Sequence, residues 1–186
     1  MKNPALIRHG LAVVLLLINL PLQADQNDPR LDRLFEILRE TNSTPVLAEV
    51  ESQIWTIWYQ HPDNDAQALL VAGDRLMNSG YYREALQVFS SLIDRHPGFA
   101  EAWNRRATLH YLAGNLDRSI EDVQKTLELE PRHFGALSGL GLVYLRQDNL
   151  IGARDAFEQL LDIHPNSPAA RQNLERVLQS LRDRFI

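Results

Sequence analysis

Histidine, arginine and glycine are the residues whose types and spacing could do chemistry in this chain; cysteine is absent. His61, His96 and His164 each precede a proline, and His96 and His164 stand 68 residues apart. Imidazoles at a repeating phase suggest a metal site, which needs about four ligand atoms converging on one ion. Equivalent positions in successive turns of a helical stack are instead held apart by interhelix spacings of about 8–10 Å, so no metal is expected. Gly139, Leu140 and Gly141, with Gly135 before them, could form a phosphate-binding loop. Such a loop follows a strand and opens a helix, whereas these glycines fall inside a helical pattern and read as close-packing or groove positions. Nucleophilic catalysis has no assembled motif: no thiol, no Gly-x-Ser-x-Gly, and no carboxylate pair isolated among apolar residues. Glu121, Asp122, Glu128 and Glu130 read as solvent-facing acids. No catalytic residue, cofactor or metal is expected, and a hydrolytic enzyme is the weakest alternative.

Arg106 and His110 are the sharpest anomaly. They are four residues apart, hence on one helical face, and that face should be an apolar seam. A buried guanidinium needs a partner, and Glu84, Asp94 or Asp122 could supply one across the seam. Two readings follow: a structural ion pair, or a polar pocket for a partner's acidic group, tuned near neutral pH by His110.

What positions these residues is a 34-residue ruler. Pro97, Pro131 and Pro165 are 34 residues apart, and at the same interval fall four further sets. They are Leu69, Trp103 and Leu137; Gly73, Ala107 and Gly141; Ala85, Ser119 and Ala153; and Phe89, Val123 and Phe157. A period of this length marks helix pairs, each unable to bury its apolar face without a neighbour. The units span 66–99, 100–133 and 134–167, turning at Asn78-Ser79-Gly80, Ala113-Gly114-Asn115 and Gln147-Asp148-Asn149. The small ladder residues let the helices of a unit approach, and Phe89 and Phe157 are expected to fill the space between units. Residues 25–30 read as a polar linker. Residues 31–63 read as a helix pair, from the stripes Leu31, Leu34, Phe35, Leu38 and Leu47, Val50, Ile54, Ile57, Trp58. This pair leaves the ladder and reads as an N-terminal cap, with Trp55, Trp58 and Tyr59 as an aromatic surface through which copies could associate. Residues 168–186 read as a C-terminal capping helix with Leu174, Val177, Leu178 and Leu181 on one stripe. No strand pattern is present, so the fold class is all-α, an antiparallel right-handed stack of nine helices.

The ladder resembles the tetratricopeptide repeat (TPR). Unit three carries most of that pattern in Leu137, Leu140, Gly141, Tyr144, Ala153, Phe157 and Pro165, with Leu160 where a small residue is usual. Unit one follows with Leu69, Gly73, Leu76, Ala85, Phe89 and Pro97. Unit two keeps Trp103, Ala107, Ser119 and Pro131 but has Arg106 where leucine is usual and His110 where tyrosine is usual. The resemblance implies a superhelical α-solenoid whose first helices line a concave groove for a protein or peptide partner. Carried onto this chain, the lining includes Leu70, Asp74, Met77, Glu101, Gly135 and Gly139. The implied partner contacts are Asn104, Arg105, Thr108, Tyr111, Ser138, Leu142 and Arg146. Asn104 suits a backbone amide, Arg105 and Arg146 a carboxylate, and Tyr111 offers apolar area with a polar tip. Ser138 and its neighbouring glycines leave room for a bulky side chain. Members that clamp a C-terminal carboxylate use Lys and Asn in their first unit, where this chain has Leu70 and Asp74, so that specificity is not expected.

Lys2 and Arg8 flank the apolar run 11–18, and Leu22-Gln23-Ala24 offers a cleavage point, so 1–24 reads as a secretory signal peptide. The run is shorter than the roughly 20 residues of a spanning helix, so no stable membrane insertion is expected after cleavage. The expected location is periplasmic or secreted. Losing Lys2 and Arg8 moves the net charge from −5 to −7, which argues against a nucleic-acid partner. The sequence thus points to an exported, non-enzymatic scaffold or adaptor, resembling small periplasmic members of the family, some of which serve envelope assembly, Tol–Pal-linked division or cytochrome c maturation. The alternative is a self-associating structural envelope protein.

Overall fold

The computed structural model describes residues 25–184; the leader expected over 1–24 lies outside them. The described residues form nine α-helices and no strand. They are α1 Arg30–Glu40, α2 Thr44–Trp58, α3 Asn64–Asn78, α4 Tyr82–Arg95, α5 Ala100–Leu112, α6 Leu116–Leu129, α7 Phe134–Arg146, α8 Leu150–Ile163 and α9 Pro168–Arg184. The pairs α3–α4, α5–α6 and α7–α8 are the three ladder units, each packed on the next, and α9 closes on α8. This is the right-handed antiparallel solenoid that the ladder predicts, and its first helices also touch one another, α3 with α5 and α5 with α7.

Each unit turns at one residue with left-handed backbone: Gly80 and Gly114 at φ 80°, Asp148 at φ 59°. Glycine enters that region without a Cβ clash, and aspartate is among the few residues that tolerate it. Inside a unit, the ladder glycine receives the ladder phenylalanine. A Cβ on Gly73 would collide with the Phe89 ring, and one on Gly141 with the Phe157 ring; both rings are fully buried. Phe89 and Phe157 therefore lock together the two helices of their own unit, rather than only filling the space between units. Unit two has Ala107 and Val123 at these rungs and forms a smaller apolar cluster with Ala136.

The helix pair α1–α2 does not cap the end of the stack. Gln26 donates to the Gly98 carbonyl (2.5 Å) and accepts from the Ala100 N–H (3.3 Å). Asp32 on α1 pairs with Arg132 (2.7 Å), and the Thr41 carbonyl at the end of α1 accepts from Asn166 (2.7 Å). Gly98, Arg132 and Asn166 occupy one rung of the ladder, 34 residues apart, so α1 is a strap across three consecutive inter-unit turns. Helix α2 then returns over the first helices of the units. Trp55 packs on Gly135 of α7, Tyr59 donates to Asp74 of α3, and Glu51 bonds His164 beyond α8. Leu31, Phe35, Leu38, Ile54 and Trp58 are thereby buried with Phe134, Leu137, Leu160 and Ala170.

Two expectations are corrected here. Trp58 is 1% exposed and stacks on His133, and Trp55 and Tyr59 are half-buried, so these aromatics are not an exposed association surface. An amphipathic stripe states that one face is buried, not what buries it, and apolar edge residues of unit three and α9 win this face. The stretch 25–30 is likewise not a loose linker. Asp28 is buried, and its carboxylate accepts from Arg30 Nε and Nη2 at 2.9 and 2.7 Å.

Candidate functional site

At the seam anomaly, Arg106 donates from Nε and Nη2 to both Asp122 oxygens (2.8 and 2.7 Å) and from Nη1 to Ser90 Oγ (3.2 Å). Its guanidinium also lies over Trp103, 4.9 Å from the ring centroid. Each guanidinium nitrogen is hydrogen-bonded within the chain, which leaves no fork for a partner's acidic group. His110 Nε2 is 3.8 Å from Asp122. Burial pushes the His110 pKa below its usual 6.5, against the pull of the Asp122 carboxylate. Asp122 and Glu130, expected to face solvent, are both buried. The cations that seat them are Arg106, where the repeat has leucine, and Arg132, whose Nε is 3.0 Å from Glu130.

A second polar cluster sits where α2 crosses α5. Glu101 is 1% exposed and accepts from Asn104 Nδ2 (2.9 Å) and Arg105 Nε (2.6 Å), and lies 3.0 Å from His133 Nε2. His133 Nδ1 accepts the Ala136 N–H (3.1 Å), so the neutral ring carries its proton on Nε2 and donates it to Glu101. Burial alone would raise the Glu101 pKa, but His133, Arg105 and Asn104 together hold it below its usual value. Asp74 beside it is pushed up by burial. Arg105 lies over the Tyr59 ring at 5.0 Å, and Trp58 stacks on His133 with centroids 4.1 Å apart. The cluster is therefore the docking site of α2, and it changes what the expected groove residues can reach. Glu101 is buried within it, and Leu70 and Met77 belong to the apolar core. Asn104 and Arg105 are bonded to Glu101 but still line open cavities beside α2.

The histidines are also placed differently from expectation. His61 and His96 do meet, edge to face with centroids 4.8 Å apart, because the turn before α3 folds against the turn before α5. His164 is elsewhere, bonded to Glu51. Among the described residues no three His, Cys, Asp or Glu side chains are grouped to hold a metal ion.

One part of the groove that α2 leaves open is a cavity of about 280 Å³ between units two and three. Thr108, Tyr111, Ser138 and Leu142, all expected contacts, line it, with Asn104 at its edge. Ala107, Ser119 and Val123 also line it, and these were not singled out as site residues. The signal was present: where units one and three have phenylalanine, unit two has Val123, and a smaller residue at that rung deepens the groove. Arg146 donates to the Tyr111 carbonyl (2.7 Å) and lies over the Tyr111 ring at 5.3 Å. It is exposed, has no carboxylate partner among the described residues, and is held against the cavity-lining Tyr111.

Fold and groove define a helical-repeat solenoid. Two stretches, 70–129 and 113–168, match the tetratricopeptide repeat. A TPR repeat-containing protein of Rhizobium etli is 31% identical over 152 residues, covering 82% of this chain and 74% of that protein. The chain belongs to the tetratricopeptide-repeat family. Among solved structures, the Sgt2 TPR domain from Aspergillus fumigatus superposes with a TM-score of 0.63 at 21% identity, covering 67% of this chain and 83% of that one. The first TPR of Spaghetti (RPAP3), bound to an HSP90 peptide, superposes with a TM-score of 0.60 at 22% identity, covering 62% and 92%.

Proposed function

We propose that this protein is a non-enzymatic adaptor that holds an extended segment of a partner protein in the groove between α5 and α7. The observation that carries this is the open cavity on the groove side of units two and three, lined by Thr108, Tyr111, Ser138 and Leu142. Its lining is mostly apolar with a few polar groups, the composition of a recognition pocket. Family membership supports the reading, and a structural neighbour holds a peptide. The partner is not read through a carboxylate clamp, since Leu70 is buried in the core and Asp74 is engaged by Tyr59. The leader-like segment 1–24 supports export, with work in the cell envelope as the setting. The competing reading of self-association through the aromatic pair is weakened, because Trp58 is buried between α1, α2 and the start of α7, against Phe35, His133 and Phe134.

The test is a photo-reactive residue at Tyr111 in intact cells, compared with one at Ile151, which is 54% exposed on α8. A discrete adduct from Tyr111 and none from Ile151 is expected. Equal labelling at both positions, or none at Tyr111, removes the groove from the function. Fractionation and N-terminal sequencing of the mature chain test export, with Asp25 as the expected first residue.

A further inference from the structure

Gly135 and Gly139 are one helical turn apart and lie on the same face of α7. The first is occupied: the Trp55 ring of α2 lies where a Gly135 side chain would be. The second is open, with nothing among the described residues within 4 Å of the position its Cβ would take. Both glycines line the cavity. Several polar groups around the open position are already engaged: the Thr108 and Ser119 hydroxyls donate to the carbonyls of Asn104 and Ala107 (3.0 and 2.8 Å), and the Asn104 amide donates to Glu101. The Ser138 and Tyr111 hydroxyls, also in the lining, have no hydrogen-bond partner among the described residues. The rest of the wall is apolar, with Ala107 and Val123 along it and the exposed side chains of Leu112 and Leu142 beside it. Such a lining suits an aromatic guest, whose ring covers apolar surface while a polar edge meets a free hydroxyl.

We infer that α7 is a two-seat track, and that Gly139 receives an aromatic side chain of the partner segment, as Gly135 receives Trp55. Glycine at both positions leaves bare helix backbone on which a flat ring can lie, and the neighbouring seat shows an indole doing so. This inference rests on the groove reading above and specifies the residue type that the groove selects.

The test is titration of the full chain, isotope-labelled, with N-acetyl-tryptophanamide, followed by amide chemical shifts. Saturable shifts are expected at Gly139, Ser138 and Leu142, and weaker ones with N-acetyl-leucinamide. Gly139→Leu fills the seat at a position where a Cβ meets no atom, so the fold is retained and affinity is expected to fall about tenfold or more. Trp55→Ala is expected to add a second set of shifts around Gly135. The proposal is overturned by no saturable shift at Gly139, by equal binding of the leucine probe, or by unchanged binding to Gly139→Leu. Indole binding near Gly135 alone in Trp55→Ala overturns it too. The groove reading is judged separately by capture at Tyr111. Capture undiminished by Gly139→Leu removes the second seat and leaves the groove standing, whereas no capture by the unsubstituted groove removes both.

Discussion

Gly139 and Gly141 are two residues apart on α7 and have opposite packing roles. At Gly141 the Phe157 ring fills the space a Cβ would need, while at Gly139 that space is empty. Glycine inside a helix costs about 0.5–1 kcal/mol relative to alanine, so Gly139→Ala is expected to raise stability by about that amount. Gly141→Ala is expected to lower it by about 1–3 kcal/mol, because overpacking forces a buried ring off its seat. Urea denaturation at neutral pH reads both, and changes of the same sign would contradict the two environments. Gly141 was legible in the sequence because a small residue recurs at its rung in every unit. Gly139 was legible only as spare room, since an open seat has no packed partner and leaves no periodic mark. Val123 did leave one, a phenylalanine missing from its rung, and it bears on the site through what it fails to fill.

Among the helices, α2 docks with the least complete polar matching. Among the described residues, Trp58 Nε1, Asp74 Oδ1 and His164 Nδ1 are buried without a hydrogen-bond partner, and all three lie where α2 meets the units. Each such group costs about 1–3 kcal/mol. Hydrogen exchange is therefore expected to show α1–α2 opening at a lower free energy than α4 and α8; equal protection would show that α2 is an integral rung. Helix α5 sets an acid sensitivity through His110 and Glu101. Burial holds His110 below 6.5, so the unfolded chain takes up the proton first and stability falls as pH drops below about 6.5. Glu101 is held below its usual 4.5, so its contribution is present above that value and is lost at still lower pH. Asp74, raised by burial, opposes this in the acid range, since its folded form takes up a proton before the unfolded one does. Between about pH 7.5 and 5.5 the histidines dominate, His110 together with His61, whose pKa burial also lowers. The thermal midpoint is expected to fall over that range, and to fall less in His110→Asn; an equal fall would place the sensitivity elsewhere. The nearness of Arg106 to His110 was legible from their four-residue spacing, but the choice of Asp122 over Glu84 or Asp94 was not, because a ladder position states burial and not which charge lies across the seam.

As a whole, the molecule departs from a simple repeat stack, in which each unit touches only its neighbours and stability is nearly a sum of local terms. Here contacts spanning 72, 100 and 125 residues join α1 and its flanks to the turns after units one, two and three. The solenoid was legible because a 34-residue period is local and repeated. The strap was not, because the choice among several apolar edges is made only in three dimensions; its one faint mark was Leu160, a large residue at a small-residue rung that proves to pack with α1–α2. The strap makes distant units interdependent, and Trp58 is the residue that tests this. Truncating a fully buried tryptophan costs about 3–5 kcal/mol. In Trp58→Ala that loss is expected to reach α7 and α8, whose Phe134, Leu137 and Leu160 share its cluster. Helices α3 and α4, held by the separate cluster around Phe89, are expected to change least. Residue-resolved hydrogen exchange on the variant distinguishes the two architectures. A stack coupled only through neighbours predicts the reverse order, with loss greatest in α3, next to α2 in sequence, and fading toward α8; that order would mean α1 and α2 rest on the solenoid without tying it together.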